Sequence, residues 1–169
     1  MTVTFSVRRL CAADADSYRG LRLDGLRRHP EAFGAAWEDE ADKPLDWFAG
    51  RLEGSAVFGG WAAGNLAGAA GLLVPATAKL RHKGVLWGMY VRPEARGTGM
   101  APALVQRVIE HAGSAVEEVL LAVTASNAAA ARLYARFGFE QYGVEPRALK
   151  SDRGYHDLVL MRLPLGMSG

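Results

Sequence analysis

The feature that most constrains the fold of this chain is an uncharged strand that leads through a glycine-bearing loop into an apolar helix. The strand is predicted over residues 85–91 (VLWGMYV), and its lack of charge places it in the middle of a sheet. The loop over 92–101 carries Gly97 and Gly99, and the helix over 102–112 is closed by Gly113. Because another apolar strand follows over 119–124, this unit predicts a right-handed crossover between parallel strands.

Antiparallel pairs are predicted on both sides of this unit. Two uncharged strands over 56–62 and 66–74 flank the turn signal Gly64-Asn65. A second pair is expected over 141–149 and 156–163, and residues 3–8 are predicted to form the first strand. The fold class is therefore α/β, with a mixed sheet.

About four helices are expected around this sheet, including the one over 102–112. A helix over 14–28 can be capped by Asp14, and a short one begins at Pro44. Another over 127–137 has Asn127 as its cap and ends at Gly138. The acidic segment 31–43, between the first two helices, is expected to be irregular.

Size and composition exclude several classes of protein. The 169 residues suit a single domain over 1–169, with a core at about 3–163. A net charge of +2 is too small for a dedicated nucleic-acid surface. The single Cys11 excludes an internal disulfide and is expected to be a small buried residue. The four histidines stand apart from one another, so no metal site is expected.

Membrane association is not expected either. Residues 54–78 carry no charge over a length that could span a bilayer, but their glycines, Asn65 and Pro75 favour a buried hairpin. The N-terminal residues lack the apolar block of a signal peptide, which favours a first strand there. The composition predicts a cytoplasmic location.

The glycine loop suggests a phosphate-binding site. Gly97 and Gly99 allow backbone N–H groups to converge beside the positive end of the helix dipole, and Arg96 adds a permanent charge. The alternative is an ordinary helix entry whose glycines only make a tight turn. The P-loop and dinucleotide fingerprints do not fit, because the first needs Gly-Lys-Ser/Thr and the second needs a third glycine early in the chain.

Residues 96–101 (RGTGMA) match the signature Arg/Gln-x-x-Gly-x-Gly/Ala, and on this motif the chain resembles the GNAT superfamily of acyl-CoA-dependent N-acyltransferases. The segments LWGMYVRPEARGTG and NAAAARLYARFGF are similar to that family's strand-four and strand-five/helix-four regions. The resemblance covers about residues 3–163. It implies a mostly antiparallel sheet in which the parallel strands four and five splay apart around acetyl-CoA.

The resemblance also implies which residues contact acetyl-CoA. The backbone of Met89 and Val91 would pair with the pantetheine arm, which Asn127 would also meet. N–H groups from Gly97 to Ala101 would hold the pyrophosphate. The full set is Met89, Tyr90, Val91, Arg96, Gly97, Thr98, Gly99, Met100, Ala101, Asn127 and Tyr134.

Tyr134 occupies the place of the family's general acid. It lies seven residues after Asn127, about two helical turns on the same face. A phenol with a pKa near 10 can protonate a departing thiolate, whose pKa is near 8.5. The alternative for Tyr134 is a core residue with its hydroxyl at the surface.

The general base is not evident, because the strand over 85–91 carries no acid where many relatives have one. The candidates are Glu31, Glu38, Asp157 and His156, or a water chain. Each of these side chains has an ordinary structural explanation as a solvated acid or a strand histidine.

The acceptor wall, by which we mean the residues that contact the acceptor amine, is expected between the first two helices, as in the family. Glu31, Phe33 and Trp37 there, together with Trp87, could receive a cationic amine, although the aromatic residues could equally pin the loop to the core.

These residues leave three functional hypotheses. The first is an acetyl-CoA-dependent N-acetyltransferase that works by direct transfer, with a small-molecule or protein amine as acceptor. The second is a non-catalytic acyl-CoA sensor, and the third is a nucleotide-binding module stabilised by ATP or NAD. A homodimer is possible because dimers are common in the family.

Overall fold

The computed structural model describes residues 4–166, which form one seven-stranded sheet with helices on both faces. The strands are β1 (Phe5–Arg9), β2 (Ala56–Ala62), β3 (Asn65–Leu73), β4 (Lys83–Val91), β5 (Glu118–Thr124), β6 (Glu140–Ser151) and β7 (Gly154–Pro164). Their order across the sheet is β1-β2-β3-β4-β5-β7-β6. Neighbours β4 and β5 are parallel, and the other described pairs are antiparallel. The predicted mixed sheet with one parallel pair is therefore confirmed.

Five α-helices accompany the sheet in the described part of the chain. They are α1 (Ala15–Arg28), α2 (Trp37–Glu40), α3 (Leu45–Gly54), α4 (Met100–Ala112) and α5 (Ala128–Arg136). One core cluster holds the apolar faces of α1 and α3 against the sheet, with Leu21 and Phe48 at its centre. A second cluster holds α4 and α5, with Leu104 and Val108 fully buried. None of these helices is long and apolar enough to cross a membrane.

The hairpin between β2 and β3 turns one residue earlier than predicted. Ala62 pairs with Asn65, which leaves Ala63 and Gly64 as the two turn residues instead of Gly64 and Asn65. Their φ angles are 51° and 78°, the two positive values that a type I′ hairpin turn requires. Ala63 therefore holds a left-handed conformation that L-residues with a Cβ rarely adopt.

Ala63→Gly is expected to raise the free energy of unfolding by about 0.5–1 kcal/mol. Removing the Cβ relieves a left-handed strain of about 1–2 kcal/mol, and the greater entropy of unfolded glycine offsets part of that gain. Urea unfolding of the variant measures the difference. Gly64→Ala is the matched control and should lower stability, whereas a less stable Ala63→Gly would contradict the turn geometry.

The N-terminal region corrects two expectations about single residues. Asp14 does not cap α1, because its carboxylate accepts hydrogen bonds from Arg8 and from the Cys11 N–H, each at 2.9 Å. The Arg8 guanidinium lowers the pKa of Asp14 to about 2. Cys11 is exposed instead of buried. The predicted first strand began at Val3, which lies outside the described residues.

The acidic segment 31–43 is more ordered than expected. A single 3-10 turn forms at Pro30–Ala32, and α2 follows at Trp37–Glu40. Four residues are too few for a periodic pattern, so the sequence did not reveal this helix. Glu40 at its end is buried, because Arg22 on α1 pairs with it.

Candidate active site

A gap opens in the sheet where the two parallel strands separate. β4 and β5 pair only over residues 83–85 and 118–120. Beyond that point, none of the described residues pairs as a strand with the edge of β4 that faces β5. Such a gap between parallel strands exposes backbone groups that a ligand can bind.

Two adjoining cavities occupy this gap. The loop-side cavity, of about 490 Å³, is lined by Arg96 and Ala101 at the start of α4. The bulge-side cavity, of about 290 Å³, is lined by Trp87 and Gly88 of β4. Residues lining both are Ala32, Phe33, Met89, Asn127, Ala130 and Tyr134. A ligand in one cavity would therefore meet a ligand in the other beside Tyr134.

A β-bulge shapes the β4 wall. Ala69 pairs with Tyr90 and Gly71 with Trp87, so that two β4 residues oppose one β3 residue. Gly88 lies in the bulge with a φ of 65°, which favours glycine. The bulge interrupts the regular alternation of β4 next to the cavities.

The backbone of β4 has groups that face the gap after the bulge. The N–H of Arg92 donates to the carbonyl of Ala67 on β3 at 2.7 Å. Because successive residues of a strand direct their backbone groups to opposite edges, Val91 directs its groups toward β5. Met89 lies in the bulge and lines both cavities. The Val91 carbonyl accepts a hydrogen bond from Arg96 Nε at 3.3 Å.

The glycine loop presents a set of unpaired amides. Within residues 4–166, the N–H groups of Gly97, Thr98, Gly99 and Ala101 have no hydrogen-bond acceptor. Gly97 and Gly99 hold φ angles of 75° and 91°. Four free amides at the N-terminus of a thirteen-residue helix form a cradle for an anion, and these residues fit a pyrophosphate.

Side chains around the cradle hold its shape. The Thr98 hydroxyl donates to the Ala95 carbonyl at 2.6 Å and closes the loop. The Met100 side chain is fully buried and fills the space left by Gly60 and Gly68, so only its backbone is near the cradle. The packing of Met100 anchors the first turn of α4 to the sheet.

Arg96 lies at the mouth of the loop-side cavity. Besides its contact with Val91, its Nη2 lies 3.2 Å from Nε2 of His29, which lines the same cavity. Glu31 lies on the other side of that imidazole, 3.9 Å from Nδ1. Arg96 therefore has a defined position beside the cradle.

Tyr134 lies where the two cavities join. Its side chain is only 5% exposed, and its ring packs edge-on against Phe139 at 5.8 Å. Burial raises the pKa of Tyr134, so the phenol stays neutral. In the described part of the chain, its hydroxyl has no hydrogen-bond partner, although it is not sealed from solvent. The residue therefore offers a neutral donor that no protein group uses, and it lines both cavities.

Asn127 caps α5, as predicted from the sequence. Its Oδ1 accepts from the Ala130 N–H at 3.2 Å. The residue also lines both cavities. A capping role and a place beside the ligand are compatible, because the side-chain amide nitrogen is not used by the cap.

Tyr90 contributes less to the gap than the resemblance implied. Its ring packs against Gly25 on α1, and its hydroxyl donates to Asp24 at 2.8 Å. Burial, followed by the bond to Asp24, raises the pKa of Tyr90 to about 12. Tyr90 therefore couples β4 to α1, with part of its surface at the loop-side cavity.

The expected acceptor wall is brought together only in part. Phe33 lines both cavities, Trp87 lines the bulge-side cavity and Glu31 the loop-side cavity. Trp37 instead lies under Arg27 at 5.4 Å and lines a separate space of about 610 Å³ next to β6. Trp37 therefore lines neither cavity of the gap, and its role in acceptor binding stays a prediction.

The four candidates for the general base also lie in different parts of the structure. Glu31 alone among them lines the gap. His156 bonds to the Ser151 hydroxyl at 2.8 Å, and Asp157 accepts from the Arg147 N–H at 2.8 Å, where it holds a bulge in β6. Glu38 lines the space beside Trp37. Sequence position could not separate these four, because their distances to the gap depend on loop packing.

Two residues at the gap were missed in the sequence. Neither His29 nor Arg22 was singled out as a site residue, yet they line the loop-side and bulge-side cavities respectively. One signal for Arg22 was present: it lies four residues after Tyr18 and three before Gly25, on the buried face of α1.

Residues 23–139 match the acetyltransferase (GNAT) family. The chain belongs to this family. The expectation drawn from residues 96–101 is confirmed, and the gap in the sheet is the part of this GNAT chain where its ligands are expected.

A sequence relative and two solved structures are similar to this GNAT chain. An L-methionine sulfoximine/L-methionine sulfone acetyltransferase of Pseudomonas aeruginosa is 35% identical over 78 residues, which are 46% of this chain and 45% of the relative. The match therefore spans slightly less than half of that relative's length.

The structural neighbours cover nearly the whole chain. A GNAT-family acetyltransferase of Streptococcus pneumoniae has a TM-score of 0.85 at 20% identity, covering 96% of this chain and 100% of that one. A putative acetyltransferase of Salmonella typhimurium, solved with its cofactor acetyl-CoA, has a TM-score of 0.81 at 21% identity, covering 98% and 96%. At these identities the likeness shows a shared fold.

Proposed function

We propose that this chain is an N-acetyltransferase that moves the acetyl group of acetyl-CoA directly to a primary amine. The observation that carries the proposal is that Tyr134 lines two adjoining cavities, one of them beside a cradle of four unpaired amides. Two ligands held side by side can react with no covalent enzyme intermediate. Family membership supports the acyl chemistry.

Binding is assigned to the loop-side cavity. The amides of Gly97, Thr98, Gly99 and Ala101 would hold the pyrophosphate of acetyl-CoA, with Arg96 beside them. The edge of β4 would align the pantetheine arm as a strand partner. Acetyl-CoA supplies an activated thioester, and the role of the chain is to place that group at the junction of the cavities.

Proton transfer is assigned to Tyr134. As the amine attacks the thioester carbon and the C–S bond breaks, the Tyr134 hydroxyl would donate its proton to the departing sulfur. The amine also has to lose a proton, and Glu31 is the base candidate that lines the gap. Bulk solvent can then return a proton to Tyr134 through the open cavities.

Acetyl-CoA is expected to raise the melting temperature of the protein by roughly 5–10 °C. A ligand at about 100 times its Kd contributes about 2.7 kcal/mol to stability, and each kcal/mol shifts a domain of this size by about 2–4 °C. Thermal unfolding with acetyl-CoA, CoA, ATP and NAD measures the effect. No shift at millimolar acetyl-CoA would contradict the assigned site, and an equal shift with NAD would favour a nucleotide-binding module.

Acceptor-dependent release of CoA then separates an enzyme from an acyl-CoA sensor. The enzyme releases CoA only when a suitable amine is added, whereas a sensor binds acetyl-CoA and shows the same slow hydrolysis with every amine. The cytoplasmic location and the homodimer stay predictions, and light scattering during gel filtration tests the second.

A further inference from the structure

Arg22 and Glu40 form a buried ion pair beside the bulge-side cavity. Arg22 Nε and Nη2 donate to the two carboxylate oxygens of Glu40 at 3.0 and 2.9 Å. The two side chains are 8% and 4% exposed. The pair explains why both charges tolerate burial, and it fixes the plane of the guanidinium.

One nitrogen of this guanidinium, Nη1, does not bond to Glu40. Nη1 has no hydrogen-bond partner within residues 4–166. In that part of the chain, Trp61 Nε1 is the single side-chain nitrogen or oxygen that is both inaccessible to solvent and without a hydrogen-bond partner. Nη1 is therefore accessible to solvent, and a ligand can contact it from the bulge-side cavity, which Arg22 lines.

The surroundings of Nη1 leave space for a ligand. A Cβ on Gly88 would stand 3.7 Å from Nη1, so the missing side chain at the bulge leaves this edge of the guanidinium uncovered. The rings of Phe33 and Trp87 lie 5.5 and 5.6 Å from its central carbon. Among the described residues, Arg22 is the one charged side chain that lines this cavity, where the other polar side chains are Asn127 and Tyr134.

We propose that Arg22 Nη1 binds the carboxylate of the acceptor, and that the acceptor is a free amino acid. This inference rests on the proposed acetyl transfer. A guanidinium edge matches the geometry of a planar carboxylate, which every free amino acid carries. Because Tyr134 and Arg22 line the same cavity of about 290 Å³, the reacting amine and the carboxylate belong to one small molecule.

The same geometry disfavours a peptide. The N-terminal residue of a peptide carries an amide where the free amino acid carries a carboxylate, and an uncharged amide bonds a buried guanidinium more weakly. A charged hydrogen bond of this kind is worth about 1.5–3 kcal/mol, which corresponds to roughly 10- to 150-fold discrimination. Apolar and aromatic walls favour an acceptor with an apolar side chain.

The test compares matched acceptors with the full-length protein. The protein-forming L-amino acids, their amides and their decarboxylated amines are each supplied with acetyl-CoA, and CoA release is measured. L-leucine, L-leucinamide and 3-methylbutylamine are one such set. At least one free acid is expected to have a kcat/KM about 10-fold or more above its amide and its amine. Acceptance of amides or amines as well as the acids would overturn the proposal.

The variant Arg22→Gln/Glu40→Gln removes the guanidinium together with its carboxylate partner, so that neither charge stays buried without the other. It is expected to lose the preference for free acids, so that the kcat/KM ratio of acid to amide approaches one. The matched control is Arg28→Gln/Asp39→Asn, which changes two exposed residues of the same helices. The control should keep the preference, and a preference kept by the Arg22→Gln/Glu40→Gln variant would overturn the proposal.

A binding measurement keeps this inference separate from acetyl transfer. In the presence of CoA, the free acids are expected to raise the melting temperature of the wild type but not of Arg22→Gln/Glu40→Gln, whose acetyl-CoA binding serves as the folding check. No shift with any free acid, or equal shifts with the amides, would overturn the carboxylate site. Loss of CoA release with every acceptor, while the free acids still bind, would contradict the proposed function alone.

Discussion

Tyr134→Phe is expected to lower kcat by about 100-fold or more and to leave the Kd for acetyl-CoA nearly unchanged. The phenol is buried, neutral and without a protein partner in the described residues, so its hydroxyl is available to the departing sulfur. General-acid catalysis contributes about 10²–10⁴-fold. Phenylalanine keeps the ring that packs on Phe139 and removes only the donor. Steady-state kinetics and acetyl-CoA titration measure the two effects separately.

The pH profile and a second tyrosine provide the controls for this prediction. Because burial raises the pKa of Tyr134 above its ordinary value near 10, its protonated form persists as the pH rises through 10. No loss of activity near pH 10 is therefore expected from this group. Tyr142→Phe, on the exposed surface of β6, should leave kcat unchanged. Full turnover by Tyr134→Phe would remove Tyr134 from the mechanism.

Glu40→Gln is expected to lower the free energy of unfolding by about 3–5 kcal/mol. The substitution leaves the charge of Arg22 buried without a counter-charge, and removing one partner of a buried pair costs that much. For a domain of this size the melting temperature should fall by roughly 6–20 °C. Urea unfolding and calorimetry measure both quantities.

Two variants show whether the effect belongs to the pair. Glu38→Gln, two residues earlier on the exposed face of α2, should change stability little. Arg22→Gln/Glu40→Gln should recover part of the loss, because no lone charge is then buried. Equal losses in Glu38→Gln and Glu40→Gln would show that the ion pair contributes nothing specific.

The unit that carries the cradle was predictable from local residues. An uncharged run at 85–91, two glycines and an apolar helix placed β4, the loop and α4 in order, although α4 begins at Met100, two residues earlier than predicted. The spacing of Asn127 and Tyr134 placed both on one face of α5, where both now line the cavities. Short-range periodicity was enough for these features.

The acceptor side depended on contacts between distant segments. Arg22 and Glu40 are eighteen residues apart and Gly88 is on another element, so no spacing joins them. Glu40 looked like one more solvated acid in a charged loop. Trp37 was expected at the gap, but the course of the chain after Phe33 turned it toward β6.

The amino-acid sequence by itself determined the family, the order of the strands and of every helix except the short α2, and the position of the glycine loop, because each of these depends on neighbours within a few turns of the chain. Tertiary structure alone decided how far β4 and β5 separate, where the cavities meet, and which charges are buried. Those outcomes depend on packing between segments far apart in sequence, where a difference of a few ångströms determines whether a side chain faces the gap, the core or solvent.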